Sequence, residues 1–245
     1  MPTPKGFVLL KENCFDSAAF FRTLQHEWDI VPDDGYMQEG ERISFNSRDN
    51  ICAISLMPAP VPNREAEACA ELNYFWPEAA ATTRQHRAHL AVVVMPVGYS
   101  SSDIDCMSLY SKIISSCLAD ANALAVYTAN TVFAPSFYRL QCDVMRQGEL
   151  PIPIWAFIGL YEGKGGNCAY SIGMQQFGKL EMEICNSASA PRDILLTLLH
   201  VCGGVIQEDL TLEGDSVLAL ADDRFFIERS PSVNCLGEDS LKVVY

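Results

Sequence analysis

Two glutamates, Glu181 and Glu183, stand two positions apart in the segment from Leu180 to Ile184 and are the first candidates for chemistry. Apolar residues alternate with them, which predicts a β-strand, because side chains two apart share one face of a strand. Paired carboxylates could carry out acid–base catalysis or hold a divalent cation. Polar-out alternation is also the default for a half-buried sheet. We therefore interpret this face as solvated.

The histidines His86 and His89 have a spacing that can bind a metal ion on a helix. Here the pair falls between a predicted helix end and a predicted strand start, so the two imidazoles need not converge. No third ligand accompanies them, and we expect structural histidines. The other two, His26 and His200, lie on predicted helices with apolar neighbours.

The glycine-rich stretch at residues 163–166, Gly-Lys-Gly-Gly, lacks the residue order and the following helix of a phosphate-binding loop. It predicts a hairpin turn instead. Motifs of serine hydrolases, zinc proteases and dinucleotide-binding proteins are missing from the sequence. We predict no catalytic residue, no metal ligand and no cofactor. A hydrolase-like enzyme that uses Glu181, Glu183 and a nearby histidine stays open as an alternative.

The sequence contains 10 cysteines, none of them in a C-x-x-C pair, so neither a structural zinc site nor a thioredoxin-like pair is supported. We expect reduced, mostly buried thiols. The N-terminal residues 1–6 carry no basic region before a long apolar stretch, which argues against a signal peptide. The longest apolar run, residues 90–97, is too short to cross a bilayer. A cytoplasmic location is expected.

The charge is strongly acidic: 31 acidic residues stand against 17 basic ones, for a net charge of −14. This disfavours binding to nucleic acid, which needs a cationic face, and to an anionic membrane. Two clusters hold much of the excess, and we predict that they bind a cationic protein partner if they converge in space. Solvated loops that serve solubility are the alternative. The cluster residues are Asp33, Asp34, Glu39 and Glu41, then Glu208, Asp209, Glu213, Asp215, Asp222 and Asp223.

The elements that must position these residues begin with a predicted β-α-β-β-α-β order in the first half. Strands are predicted at residues 6–11, 42–46, 51–57 and 90–95. Helices are predicted after Asn13 or Asp16, either of which can be the N-cap, and over residues 64–72 and 76–86. This order is that of a ferredoxin-like unit. A long helix from Asp103, a strand at 124–127 and a helix at 136–145 follow.

The second half predicts strands at residues 154–161, 168–173, 180–185, 217–220 and 225–227, with a helix that starts at Pro191. We predict an α+β fold of two packed α/β-sandwich-like lobes with mixed, mainly antiparallel sheets. The lobes are residues 1–148 and 149–245, packed as one compact unit. The expected core residues are Leu90, Val92, Val94, Ile154, Ala156, Ile158, Leu195 and Leu199.

Three segments carry a resemblance to a known family: residues 170–184 with their Gly-Met-x-x-Phe-Gly-x-x-Glu-x-Glu-Ile core, residues 73–77 and residues 86–95. In them the chain resembles the bacterial family called domain of unknown function 4261, over roughly residues 73–215. The resemblance implies a bacterial cytosolic protein. It also implies a role in protection or regulation at loci for contact-dependent or secreted toxins. It supplies no catalytic residues.

Our first functional hypothesis is a cytoplasmic immunity-type protein that binds and neutralises a cognate bacterial toxin or effector through its acidic face. The partner is expected to be a cationic protein, for example a secreted toxin. The second is the hydrolase-like enzyme described above. A third is a non-catalytic regulatory module that oligomerises through a sheet edge. The sequence names neither the toxin nor the oligomeric state.

Overall fold

A computed structural model describes residues 3–97, 102–234 and 237–244 of the chain. The predicted α+β class with mixed, mainly antiparallel sheets is confirmed: the chain forms two sheets together with helices. It divides into two compact units, Thr3–Glu149 and Leu150–Tyr245. None of the helices within the described ranges is long and apolar enough to cross a membrane.

The N-terminal unit contains a seven-stranded sheet with the strand order β2-β3-β4-β5-β1-β6-β7, in which all neighbours are antiparallel. Its strands are β1 (Lys5–Leu10), β2 (Tyr36–Glu39), β3 (Arg42–Ser47), β4 (Asn50–Met57), β5 (Ala88–Pro96), β6 (Ala123–Thr128) and β7 (Thr131–Phe133). Its helices are α1 (Ser17–Trp28), α2 (Glu65–Glu71), α3 (Ala79–Thr83), α4 (Asp103–Cys117) and α5 (Pro135–Asp143).

Helix α1 shows how the local sequence determines an element of this unit. The Asp16 carboxylate accepts a hydrogen bond from the amide of Ala19 at 2.9 Å and satisfies one free donor of the first turn. Phe20, Leu24 and Trp28 recur every four residues and are buried, so one stripe of the helix packs on the core.

The ferredoxin-like detail differs in the strand order. That arrangement would place the strand at 50–57 beside β1, but β1 pairs with β5 and β6, and β4 pairs with β3 and β5. The cause is β2, a strand that the sequence does not predict and that forms a hairpin with β3. Because of this additional hairpin, β3 and β4 run in the directions opposite to those of the corresponding ferredoxin-like strands. The segment containing α2 and α3 therefore connects two adjacent antiparallel strands, β4 and β5.

The C-terminal unit contains a six-stranded sheet with the order β11-β12-β13-β10-β9-β8. Only the β10–β13 pair is parallel among the described strand pairs of this sheet. Helix α7 packs on β8, β9 and β10. The elements are α6 (Ile152–Trp155), β8 (Phe157–Gly163), β9 (Gly166–Ile172), β10 (Met182–Ser187), α7 (Pro191–Gln207), β11 (Ser216–Leu220), β12 (Asp223–Pro231) and β13 (Asp239–Val244).

Two boundaries differ from the prediction for local reasons. The strand expected from residue 154 begins at Phe157, because Pro153 lies in the first turn of α6, where its fixed φ favours a helix. The strand expected from residue 180 begins at Met182. It follows a 3₁₀ turn, Met174–Phe177, that ends at Gly178 in the left-handed region with φ 66°.

Six of the eight expected core residues are buried, so this part of the prediction is confirmed: Leu90, Val92, Val94, Ile154, Ala156 and Ile158. Leu195 and Leu199 are only half-buried, and their assignment to the core is wrong. On α7 the residues one position before each of these leucines, Ile194 and Leu198, are buried instead. The buried residues of α7 include Ile194, Leu198, Val201, Cys202 and Val205.

The buried face of α7 predicts different stability effects for two substitutions on the same helix. Leu198→Ala should lower the free energy of unfolding by about 2–5 kcal/mol, through lost burial and a residual cavity. Leu196→Ala, on the same helix but at a side chain that is 51% exposed, should change it by less than about 0.5 kcal/mol. Urea denaturation followed by circular dichroism measures both. Equal losses would show that α7 packs on a different face.

Candidate functional site

The first acidic cluster surrounds an edge strand of the N-terminal unit. We call this surface the β2 edge: Asp33, Asp34, the strand Tyr36–Glu39 and Glu41. Strand β2 stands last in the sheet order, with β3 as its neighbour among the described strands. All these residues are exposed. The outer backbone amides and carbonyls of β2 are therefore available to another strand.

Helix α1 holds one face of β2 in place. The Tyr36 ring stacks on Phe21 with centroids 4.2 Å apart, and the Gln38 side-chain oxygen accepts a hydrogen bond from the Ser17 hydroxyl at 3.2 Å. Met37 points to the opposite face and is 67% exposed. The edge thus combines an anchored strand with an apolar side chain in solvent.

The carboxylates of the β2 edge have one base directly across the strand pair, Arg42 opposite Glu39. Within the described part of the chain, none of Asp33, Asp34, Glu39 and Glu41 forms an ion pair. Asp33 alone has a local role, since its carboxylate accepts a hydrogen bond from the backbone amide of Arg48 at 3.2 Å. These four carboxylates are predicted site residues that the structure leaves accessible.

The second acidic cluster lies in the C-terminal unit, next to that unit's edge strand. We call this surface the β11 edge: residues 208–215, β11 and the turn at Asp222 and Asp223. All six predicted acids there are exposed. Asp209 pairs with Lys179 at 2.8 Å, and the Asp223 carboxylate lies 3.9 Å from His200.

An apolar row crosses the outer face of the same sheet beside these acids. Val217 stands directly opposite Phe226, and Phe226 stands opposite Val244. Their side chains are 54%, 60% and 47% exposed. Contiguous exposed apolar residues with a charged surround are typical of interaction surfaces. Sequence reasoning missed this row because β13, which supplies Val244, is not predicted from the sequence.

Glu183, the first catalytic candidate, is 1% exposed, so the interpretation of its strand face as solvated is wrong. Its carboxylate accepts hydrogen bonds from the Lys242 ammonium and the Ser232 hydroxyl, both at 2.5 Å, and from the Val233 amide at 3.2 Å. Lys242 also donates to the Ser240 hydroxyl at 2.6 Å. A buried carboxylate with several donors has a structural role here.

Register explains how this pair forms. Glu183 on β10 stands opposite Lys242 on β13 in the parallel pairing, and opposite Tyr170 on β9 in the antiparallel one. Tyr170 in turn faces Gly159 on β8. A side chain at Gly159 would begin 2.2 Å from the Tyr170 ring, so the glycine leaves the space that the ring occupies. Gly159, Tyr170, Glu183 and Lys242 thus form one cross-strand row over β8, β9, β10 and β13, in which the Glu183 carboxylate is buried.

Glu181 serves a separate network. It precedes β10 and accepts hydrogen bonds from the Ser171 hydroxyl at 2.5 Å and from the amides of Gly173 and Gln175 at 2.9 and 3.4 Å. The last two donors open the 3₁₀ turn before Gly178. The two glutamates therefore position different backbone segments.

The two histidines of the predicted spacing fix a proline-rich segment. The His86 Nε2 accepts from the Val61 amide at 2.9 Å, which makes its Nδ1 the donor to the Thr83 carbonyl. The His89 Nδ1 lies 2.8 Å from the Ala59 carbonyl, and burial lowers the pKa of this imidazole. The described residues hold no group of three or more potential ligands that could bind a metal ion.

The cysteines within the described ranges are all free thiols, and Cys14 is the exposed one among them. Cys235 of the expected set lies outside the described residues. Burial raises the pKa of Cys52 to about 12 and that of Cys106 to about 11. A raised thiol pKa disfavours the nucleophilic thiolate. The hairpin turn predicted at residues 163–166 is confirmed, since Gly163 pairs with Gly166 between β8 and β9.

The Glu183–Lys242 pair predicts a large stability effect. Glu183→Gln should lower the free energy of unfolding by about 3–5 kcal/mol, because it leaves the Lys242 ammonium without its carboxylate. Glu183→Gln/Lys242→Met should cost less than the single change, because both buried charges are removed. Glu228→Gln, at an exposed position opposite Lys242 on β12, is the control and should cost less than about 0.5 kcal/mol.

The same pair predicts a pH dependence. Burial acts to raise the pKa of Glu183, but hydrogen bonds from Lys242, Ser232 and Val233 outweigh it and hold the pKa below its ordinary value. The stabilisation is therefore present above the unfolded-state pKa of about 4.3 and is lost as pH falls through the lower folded-state pKa. Urea titrations from pH 6 downward should show this acid-dependent loss in the parent chain and a smaller one in Glu183→Gln. Identical profiles would contradict the pairing.

The thiols predict a graded reactivity. After denaturation without reductant, close to all 10 cysteines should react with a thiol reagent. In the native protein, Cys14 should be labelled well before the buried Cys142 and Cys202, as peptide mapping by mass spectrometry would measure. Bonded pairs in freshly prepared protein would overturn the assignment of free thiols.

The chain matches no protein-family model, no curated protein and no solved structure. The resemblance to the family of domain 4261 therefore stays a prediction carried by its motif residues.

Proposed function

We propose that the chain is an immunity-type binding protein that captures a cationic bacterial toxin through the β2 edge. The observation that carries this proposal is that an anchored edge strand with exposed backbone groups is surrounded by unpaired carboxylates. The acidic balance of the whole chain and the resemblance to domain 4261 support the same reading.

The chemistry of the β2 edge fits one mode of protein recognition. A partner strand can add to an exposed sheet edge through main-chain hydrogen bonds, while side-chain contacts give specificity. Met37 offers an apolar contact at the centre, and Asp33, Asp34, Glu39 and Glu41 meet lysine or arginine at the rim. Rim charges of this kind act mainly on the association rate.

The same carboxylates select against the wrong partner. A second copy of this chain would bring four like charges to the edge, and like charges facing each other across strands are destabilising. A basic strand would bring opposite ones. The edge is therefore suited to a cationic partner and unsuited to pairing with itself.

A regulatory module that oligomerises is the second candidate, and the apolar row of Val217, Phe226 and Val244 favours it. This row is exposed across three strands of the C-terminal unit. Burial of such a row by a second copy would remove apolar area from water, the term that dominates most association. Sedimentation of the purified chain separates the two candidates, since the immunity proposal requires no self-association.

The experiment for the immunity proposal uses the polypeptide encoded by the gene adjacent to this one. The rate at which this polypeptide associates with the chain should fall as the salt concentration rises from about 0.05 to 0.5 M, because the Debye length becomes shorter and the charges are screened. Asp33→Lys/Asp34→Lys should slow association by about tenfold and flatten that salt dependence, with less change in dissociation. Biolayer interferometry measures both rates.

The matched control is Glu78→Lys/Glu149→Lys, which makes the same charge change at exposed positions of the same unit outside the β2 edge; neither glutamate forms an ion pair with a described residue. It should reduce association much less. Co-production of the parent chain should also restore growth of cells that make the neighbouring polypeptide. A neighbour that is not toxic or does not bind would overturn the proposal, and so would equal effects of both double variants.

A further inference from the structure

Strand β12 of the C-terminal unit carries a cation, an apolar side chain and an anion in succession on one face. Arg224, Phe226 and Glu228 are spaced two apart, so their side chains share that face of the strand. Phe225 points the other way and is buried, and its ring lies 6.3 Å from the His200 ring of helix α7. The face with the alternating charges therefore lies opposite the face on which α7 packs.

Both charged side chains of this pattern are available to another molecule. Arg224 and Glu228 are exposed, and neither forms an ion pair with another described residue. Lys242 stands opposite Glu228 on β13, but its ammonium is bound to the Glu183 carboxylate. Phe226, between the two charges, is 60% exposed. Association with a fitting surface would remove this apolar area from water.

The apolar row crosses the strands through the middle of this pattern. Val217 on β11 and Val244 on β13 both stand directly opposite Phe226, and their side chains are exposed. Side chains that stand opposite each other on neighbouring strands are close enough to touch. The outer face thus has apolar residues across the strands and opposite charges along β12, and Phe226 lies where the two lines meet.

This arrangement is complementary to itself under one rotation. A two-fold axis that lies along the apolar row places each residue of the row against the same residue of a second copy. The rotation also reverses the direction of β12, so Arg224 of each copy meets Glu228 of the other. An axis along β12 would instead place Arg224 against Arg224 and Glu228 against Glu228. The charges therefore select the axis along the row.

The charge balance of this face distinguishes it from the acidic edges. The chain as a whole has a net charge of −14, which opposes self-association wherever acids face acids. Along β12 one exposed cation and one exposed anion flank the apolar centre instead. A purely cationic partner would be attracted by Glu228 and repelled by Arg224. A second copy satisfies both charges at once.

We propose that the chain forms a two-fold symmetric dimer through the outer face of β11, β12 and β13, with Phe226 at the centre and two Arg224–Glu228 ion pairs between the copies. Each copy covers the face of the other, so the assembly closes as a dimer. This inference rests on the second candidate function and deepens it, since it gives the self-association a defined partner and geometry. No residue of the β2 edge takes part, so the dimer and toxin capture are tested separately.

Sedimentation equilibrium tests the apolar centre. The mass of the parent chain should rise towards that of two chains between roughly 1 and 300 µM, at about 0.15 M salt, where the Debye length of about 8 Å screens distant like charges. Phe226→Ser should weaken the dimer by at least about tenfold, a loss of about 1.4 kcal/mol. Leu196→Ser, at an apolar side chain of α7 that is 51% exposed, is the control and should leave the dimer unchanged.

Charge reversal tests the axis. Arg224→Glu and Glu228→Arg each place like charges against each other, and each should weaken the dimer by at least about tenfold. An equimolar mixture of the two variants should form a heterodimer with nearly the affinity of the parent, because every facing pair then joins a carboxylate and a guanidinium again. Native mass spectrometry separates this heterodimer from the two homodimers. Only a contact between copies can produce the recovery, and the recovery also shows that both variants fold.

The matched controls are Arg192→Glu and Glu162→Arg, which make the same charge changes at exposed positions of the same unit outside this face. Each should dimerise like the parent. A parent chain that stays monomeric at every concentration overturns the proposal and the second candidate function together. A dimer that Phe226→Ser leaves intact, or a mixture without recovery, overturns the proposed interface alone. The β2 edge is independent of these results, since its test measures association with the neighbouring polypeptide.

Discussion

Unpaired strand edges are the constraint on which the surface of this protein depends. Among the described strands each sheet has two edge strands, and one of each pair, β2 in the N-terminal unit and β11 in the C-terminal unit, has outer amides and carbonyls beside an acidic cluster. Such groups invite pairing with any extended chain, and charged residues are a common protection. The acidic clusters lie beside β2 and β11. Part of the acidic excess therefore lies where another strand could pair with the sheet.

A second constraint is the cost of burying Glu183. Removal of a carboxylate from water costs several kcal/mol unless charge and hydrogen bonds replace the solvent. Lys242, Ser232 and the Val233 amide do so, and each comes from β13 or the segment before it. The polar residues of one strand thus specify which strand lies beside it. An apolar residue at position 183 would need no hydrogen-bond donor, so it would not favour β13 over another strand as the neighbour of β10.

The sequence predicts the elements whose apolar residues repeat regularly, such as α1, β4, β5 and α7. It does not predict β2, because all four of its residues are exposed and show no alternation. It does not predict β13, and so it hides both the Lys242 partner of Glu183 and the exposed row that ends at Val244. The acids are recognisable from charge alone.

The position of β13 has a consequence for synthesis. In the described part of the sheet, β11 and β12 reach the other strands through β13, which lies between β12 and β10 although it follows both in the chain. A nascent chain that ends before Asp239 can form the β8–β9–β10 part and the β11–β12 hairpin, but it cannot join them. The two parts of this sheet therefore join only after Leu241 and Lys242, the residues of β13 that pair with β10, have been synthesised, and termination before them leaves two separated fragments of sheet.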